Sequence, residues 1–245
     1  MSMIPPLQKS DRLAIFLDFD GTLVNIAERP DLVQITPELL ETLQRVSDRI
    51  DGALALVTGR TIADLDNLLA PLQLPTAGVH GLEYRDNSGI IYADSPITLP
   101  ECVKNRLSAL VAADPDLILE DKGTSLAVHY RQSPGKEHFI RNEFQAIFAD
   151  LGPDFVVQNG KMVLEIRPAG ATKGTAIRKF MSGPPFAGRR AVFIGDDITD
   201  EDAFGVVNEM QGYSVRVGDT YRNSVACYTL PDVAAVHDWI MPLVH

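Results

Sequence analysis

The residues best suited to chemistry in this chain are acids. Asp18 and Asp20 follow the apolar run Leu13–Leu17. Asp196 and Asp197, with Asp200 just beyond, follow the apolar run Ala191–Ile194. Such runs suit strands buried on both faces of a parallel sheet. In α/β sheets the carboxyl ends of the strands form the ligand crevice, so parallel strands would bring both acid pairs to one edge. Ionised carboxylates at the rim of a dry strand need something positive beside them. A hard cation with oxygen ligands, such as Mg2+, is the simplest candidate. Asp18 or Asp196 alone would as readily be a cap or turn residue. Two pairs on strands of one sheet favour a site.

Thr58-Gly59-Arg60 ends a further apolar run, Ala53–Val57, and precedes a helical pattern. A hydroxyl and adjacent backbone amides at a helix start suit a phosphate oxygen, although Thr-Gly at such a place is usually only a cap. Lys173 opens another helical stretch. Beside the carboxylates it could neutralise a phosphate and a nearby Asp; elsewhere it would be solvated surface.

The elements that must position these groups follow from periodicity. Apolar residues at 39, 40, 43, 46 and 50 have helical spacing, with Thr36 placed as N-cap and Pro37 at the first helical position. Ile62 to Leu69 reads as a helix, and Thr76–Val79 as a short strand. Strands and helices alternate, as in a doubly wound sheet. From about Glu83 to Arg167 the strands instead alternate apolar and polar residues, which predicts an antiparallel sheet with one dry and one wet face. Pro100–Ala113 and Lys136–Leu151 are expected to be helices on its dry face. By parity Glu120 and Lys122 share the wet face, as do Val163, Glu165 and Arg167. After Gly170 the first pattern returns, with a helix from Lys173 to Met181, strands at 215–217 and 227–230, and a last helix from Val233 to Ile240. The fold class is therefore α/β. A doubly wound (Rossmann-like) parallel-sheet core is expected from residues 1–83 and 171–245, with an inserted α+β domain from residues 84–170.

The 245 residues carry 33 acids against 22 bases, for a net charge of −11. That balance argues against nucleic acid or an anionic membrane as a partner. It leaves room for a small anionic substrate met by local cations. The two cysteines, Cys102 and Cys227, form no metal-ligand spacing and fit a reducing cytoplasm. Met1–Ser10 has no apolar h-region, and no run is long enough to span a membrane. A cytoplasmic monomer is expected.

Asp18-Phe19-Asp20-Gly21-Thr22-Leu23 resembles the DxDGT(L/V) signature of haloacid dehalogenase-type phosphatases. Thr58, Lys173 and Gly195-Asp196-Asp197 with Asp200 match the later motifs of that superfamily in order. The insert resembles a type-2 cap domain. The resemblance implies that Asp18 is the nucleophile that forms an aspartyl-phosphate, and that Asp20 is the general acid and base. It also implies that Thr58 and Lys173 bind phosphoryl oxygens, with Gly59, Arg60 and His80 on the substrate side. Mg2+ would be held by Asp18, the Asp20 backbone carbonyl and Asp196, with Asp200 and Asp197 orienting water or Lys173.

Three further segments are similar to those of trehalose-6-phosphate phosphatases. They are His80-Gly81-Leu82-Glu83, Glu120-Asp121-Lys122 running on to His129-Tyr130-Arg131, and Gly160-Lys161 leading to Glu165-Ile166-Arg167-Pro168. The similarity spans about Ile15 to Val217 and implies that Glu120, Lys122 and Glu165 contact the distal glucose. Ser125, His129 and Arg131 lie in the same motifs, as ligands or as packing residues. The cap is expected to close over the disaccharide and exclude water. The expected partner is thus a small-molecule sugar phosphate. Rival readings are another glycosyl phosphate as substrate (sucrose phosphate, mannosyl-phosphoglycerate), a non-catalytic sugar-phosphate sensor, and a phosphomutase. Thr58 departs from many relatives, which carry Ser, but keeps the hydroxyl.

Overall fold

A computed structural model of the chain describes residues 2–5, 12–93, 98–218 and 223–244. Most of Met1–Ser10, read above as lacking a leader, lies outside the described residues. In chain order the strands are β1 (Ser2–Met3), β2 (Leu13–Leu17), β3 (Leu54–Val57), β4 (Thr76–Gly78), β5 (Glu83–Arg85) and β6 (Ile91–Ala93). They continue as β7 (Ile118–Asp121), β8 (Leu126–His129), β9 (Phe155–Gly160), β10 (Val163–Pro168), β11 (Arg190–Gly195), β12 (Tyr213–Val217) and β13 (Tyr228–Leu230). The helices are α1 (Pro37–Arg49), α2 (Ile62–Leu69), α3 (Glu101–Ala112), α4 (Glu137–Ala149), α5 (Lys173–Met181), α6 (Glu201–Glu209) and α7 (Val233–Ile240).

The chain divides into two compact units, Met1–Tyr92 with Thr172–His245, and Ala93–Ala171. The first unit holds a nine-stranded sheet in the order β1-β13-β12-β11-β2-β3-β4-β5-β6. Its strands from β1 to β4 pair in parallel, and β5 turns back antiparallel on β4. Every residue of β2 and β3 is buried, and so is β11 beyond its first residue. This is why their sequences are unbroken apolar runs. The helices begin where their caps dictate. Thr36 accepts from Leu39 N ahead of α1, and Thr172 forms a capping box with Thr175 ahead of α5. Phe16 packs against both Phe180 and Phe186, with centroids 5.8 and 5.4 Å away, and these two rings touch each other. Each such buried ring contributes about 1.5–3 kcal/mol.

The second unit holds an antiparallel sheet in the order β7-β8-β10-β9. Val103 and Leu107 of α3, with Ile140, Phe144 and Ile147 of α4, pack on Leu126, Val128, Leu164 and Ile166. The register sets Glu120 and Glu165 on either side of Ala127, on the opposite face.

Two local readings differ from the sequence expectation. The strand expected over Thr76–Val79 stops at Gly78, because Val79 and His80 take φ of 45° and 56°. The strand at Glu83–Arg85 alternates polar and apolar residues as expected but extends the first unit's sheet, where Arg85 is buried and donates to Leu74 O and Asp66. Among the described residues no helix is long and apolar enough to cross a membrane.

Candidate active site

β2 and β11 pair in parallel with Leu17 opposite Ile194, and Asp18 N donates to Ile194 O at 2.9 Å. The residues that follow, Asp18 on one strand and Gly195-Asp196 on the other, therefore leave the sheet at one level. Lys173, at the start of α5, reaches the same place. Its Nζ donates to Asp18 Oδ1 at 2.8 Å and to Asp200 Oδ1 at 2.6 Å. The three side chains are almost wholly buried. One carboxylate oxygen each from Asp18, Asp196 and Asp200 lies within 4.8 Å of the others.

Burial, with Asp200 and Asp196 alongside, pushes the Asp18 carboxyl well above the usual carboxylate range, against the pull of Lys173. Burial works against the Lys173 ammonium too, but Asp18 and Asp200 outweigh it and hold its pKa well above the ordinary value. Three carboxylates face one ammonium here, so the cluster is short of positive charge. Its donors are all oxygen. A hard divalent cation fits that set, and a soft one does not.

The loop after β2 is wound tightly, with Thr22, Leu23 and Val24 N all directed at Phe19 O and Gly21 N donating to Val24 O at 2.7 Å. Gly21 has φ +84° and passes directly against the Asp196 carboxylate, where a Cβ would overlap it. Gly21→Ala is therefore expected to lower kcat/KM at least about ten-fold with the fold retained. Steady-state phosphate release and circular dichroism would check this.

The loop after β3 is fixed from β4 and the turn beyond it. Thr58 N donates to Ala77 O, His80 N to Thr58 O and Val79 N to Arg60 O. These bonds hold Val79 and His80 in the left-handed region, which costs about 1–3 kcal/mol per residue for non-glycine types. A Cβ on Gly59 would lie 2.8 Å from His80 Nε2, so the imidazole lies close against that glycine. Thr58 is buried, and its Oγ1 accepts from Arg60 N at 3.1 Å, leaving its O–H to donate to an anion.

The Arg60 guanidinium, expected on the substrate side, grips Asp20 through both carboxylate oxygens, at 2.6 and 2.8 Å. Asp197 caps the 198–200 turn through Ile198 N, and its own N–H donates to Asp200 Oδ2. Two supporting residues have no role assigned from the sequence. Buried Arg216 donates to Asp196 O at 2.8 Å and pairs with Glu201 at 3.0 Å. Asp202 Oδ2 accepts from Gly174 N at 2.9 Å, steadying the turn that carries Lys173. Arg216 had a signal: a cation at a buried position of an apolar strand.

On the second unit's polar sheet face, Lys122 Nζ donates to Glu165 Oε2 at 3.0 Å and lies 3.9 Å from Glu120 Oε2. His129 Nε2 lies 2.7 Å from Glu120 Oε2. Burial raises the pKa of Glu120, but the His129 hydrogen bond and Lys122 win and hold it below the usual range. The buried hydroxyls of Thr124 and Ser125 have no hydrogen-bond partner among the described residues. Arg131 instead donates to Lys161 O of the β9–β10 turn.

Comparison with known proteins bears on both units. The sequence pattern of the trehalose-phosphatase family matches residues 16–233. A probable trehalose-phosphate phosphatase of Sinorhizobium fredii is 42% identical over 233 residues, covering 95% of this chain and 88% of that protein. The trehalose-6-phosphate phosphatase of Escherichia coli is 40% identical over 243 residues, covering 97% and 90%. Among solved structures, the C-terminal domain of the C. albicans trehalose-6-phosphate phosphatase superposes with a TM-score of 0.85 at 23% identity, over 99% of this chain and 98% of that one. At that identity the likeness speaks for the fold alone.

Proposed function

The chain belongs to the trehalose-phosphatase family, and from that premise we propose that it hydrolyses trehalose 6-phosphate to trehalose and phosphate, with Asp18 as the nucleophile. The observation that carries the reading is the buried Asp18 carboxylate held by Lys173 at the end of a central strand.

The first step forms a bond from an Asp18 oxygen to phosphorus and breaks the phosphorus–sugar oxygen bond, while Asp20 gives its proton to the leaving alkoxide. In the second step water attacks phosphorus, Asp20 takes its proton, and the Asp18 carboxylate leaves. The Thr58 hydroxyl and the Gly59 amide bind phosphoryl oxygens, with His80 holding that loop in shape. Lys173 offsets charge on Asp18 and the phosphoryl group, and Asp200 holds Lys173. Asp18, Asp196 and the Asp20 carbonyl would hold Mg2+, which lowers repulsion between a carboxylate and a phosphoryl group when bound. Asp197 keeps Asp200 in place. Glu120, Lys122 and Glu165 recognise sugar hydroxyls, since carboxylates accept and the ammonium donates.

The test is phosphate release from a panel of sugar phosphates, with Mg2+ and with EDTA. Mg2+-dependent preference for trehalose 6-phosphate is expected. Preference for another glycosyl phosphate would leave the core chemistry and overturn the reading of the second unit. Binding without release would make the protein a sensor. A second test isolates sugar recognition. Glu165→Ala is expected to lower kcat/KM for trehalose 6-phosphate about 10–100-fold, the worth of a hydrogen bond to a charged group. Hydrolysis of p-nitrophenyl phosphate, which has no sugar, should hardly change. Equal losses on both substrates would count against this role.

A further inference from the structure

We propose that Arg60 is a positioning residue for Asp20, and that it acts in the second half-reaction, where Asp20 takes a proton from water. The proposal rests on the roles given above to Asp18 and Asp20. Arg60 Nε donates to Asp20 Oδ2 at 2.6 Å and Nη2 to Oδ1 at 2.8 Å, a two-point fork that fixes the plane of the carboxylate. Nη2 also donates to Pro30 O at 3.0 Å, and the guanidinium lies 5.5 Å from the Phe19 ring centroid. The Arg60 side chain is 10% exposed and that of Asp20 is 35% exposed. The cation is thus seated beneath an acid that still reaches solvent.

The backbone of Arg60 is fixed as firmly as its fork. Its N–H donates to Thr58 Oγ1 and its carbonyl accepts from Val79 N. The fork therefore sets the Asp20 carboxylate in register with the loop of Thr58 and Gly59. Guanidinium offers donors only. Two donors aimed at two oxygens suit a carboxylate, the form in which Asp20 leaves the first step. In the second step the water oxygen bonds to phosphorus and the bond from phosphorus to the Asp18 oxygen breaks, its electron pair returning to the Asp18 carboxylate. The water proton passes to an oxygen of Asp20. Arg60 holds that acceptor still between the two steps.

The experiment uses the full chain with Mg2+ and p-nitrophenyl phosphate, whose leaving group needs little help from an acid. Arg60→Met is expected to release about one equivalent of p-nitrophenolate in a burst, followed by turnover about 100-fold slower than the parent. Acid-quenched protein should then carry phosphate. The inhibition constant of inorganic phosphate should stay within about three-fold of the parent, and Arg60→Lys, with one donor in place of the fork, should turn over at an intermediate rate. The proposal is overturned if KM and the phosphate inhibition constant both rise at least about ten-fold with kcat unchanged, which would make Arg60 a phosphoryl ligand. It is also overturned if turnover falls with no burst. Should Arg60→Met fail to fold, the same two readouts on Arg60→Lys decide. Parent enzyme that releases no phosphate from trehalose 6-phosphate would instead remove the reading on which the proposal stands.

Discussion

Asp18→Asn is expected to lower kcat on trehalose 6-phosphate by about 10,000-fold or more, with the fold intact. The substitution keeps the shape of the side chain and removes the oxygen nucleophile. It also removes the Asp18 carboxylate, whose charge is disfavoured by burial and by the nearby Asp200 and Asp196. The denaturation midpoint at neutral pH should therefore stay level or rise, as often happens when a site built for chemistry is relieved of its strain. Phosphate release and a thermal melt of the same sample check both halves. Near-parental turnover would exclude Asp18 as the nucleophile. A midpoint lowered by roughly 10 °C, several kcal/mol in a domain of this size, would mean that the carboxylate is mainly structural.

Lys173→Met should do the opposite to stability. It leaves Asp18 and Asp200 facing each other without the ammonium they share. Breaking a buried pair by removing one partner costs about 3–5 kcal/mol, or roughly 6–20 °C in the midpoint of a domain this size. The Lys173 pKa is raised in the folded state. Its contribution is therefore complete below the unfolded lysine pKa, about 10.4, and is lost as pH rises through the higher folded value. The gap between parent and variant should accordingly persist from neutral pH to about pH 10. Added Mg2+ should narrow it, because a bound cation can take over part of the neutralisation. Melts in EDTA at pH 7 and pH 9.5 test this, and equal midpoints for parent and variant would defeat it.

Much of this architecture was legible because local signals agreed with the global fold. The runs at 13–17 and 191–194 suit strands covered on both faces, which they are, and Thr36 with Pro37 announces α1 from the sequence alone. The acids at the ends of those runs, Asp18 and Asp196, are ones that cluster in the fold, together with Asp200 and Lys173. What was not legible depends on partners far away in sequence. Val79 is β-branched and resists positive φ; its bond to Arg60 O and that of His80 to Thr58 O help impose the turn. The partner of the Arg60 guanidinium is Asp20, 40 residues earlier, which no local pattern around Thr58-Gly59-Arg60 announces. Asp197 and Asp200 look alike as acids after a strand, yet one caps a turn while the other holds Lys173. The alternation at Glu83–Arg85 could not say which of two sheets it belonged to, because Arg85 is kept from water by distant partners, Leu74 O and Asp66.

The parallel pairing of β2 with β11 has a consequence for how the molecule is made. Leu13 and its β11 partner Arg190 are 177 residues apart. At about 5–20 residues per second a ribosome needs roughly 9–35 s to cover that distance. Until β11 is made, the nascent Leu13–Leu17 segment has at most β3 beside it and its other edge is open. A fully apolar strand with an open edge is a template for pairing with a neighbouring chain. The open edge of β2 is therefore exposed to other chains for as long as β11 is still to be made.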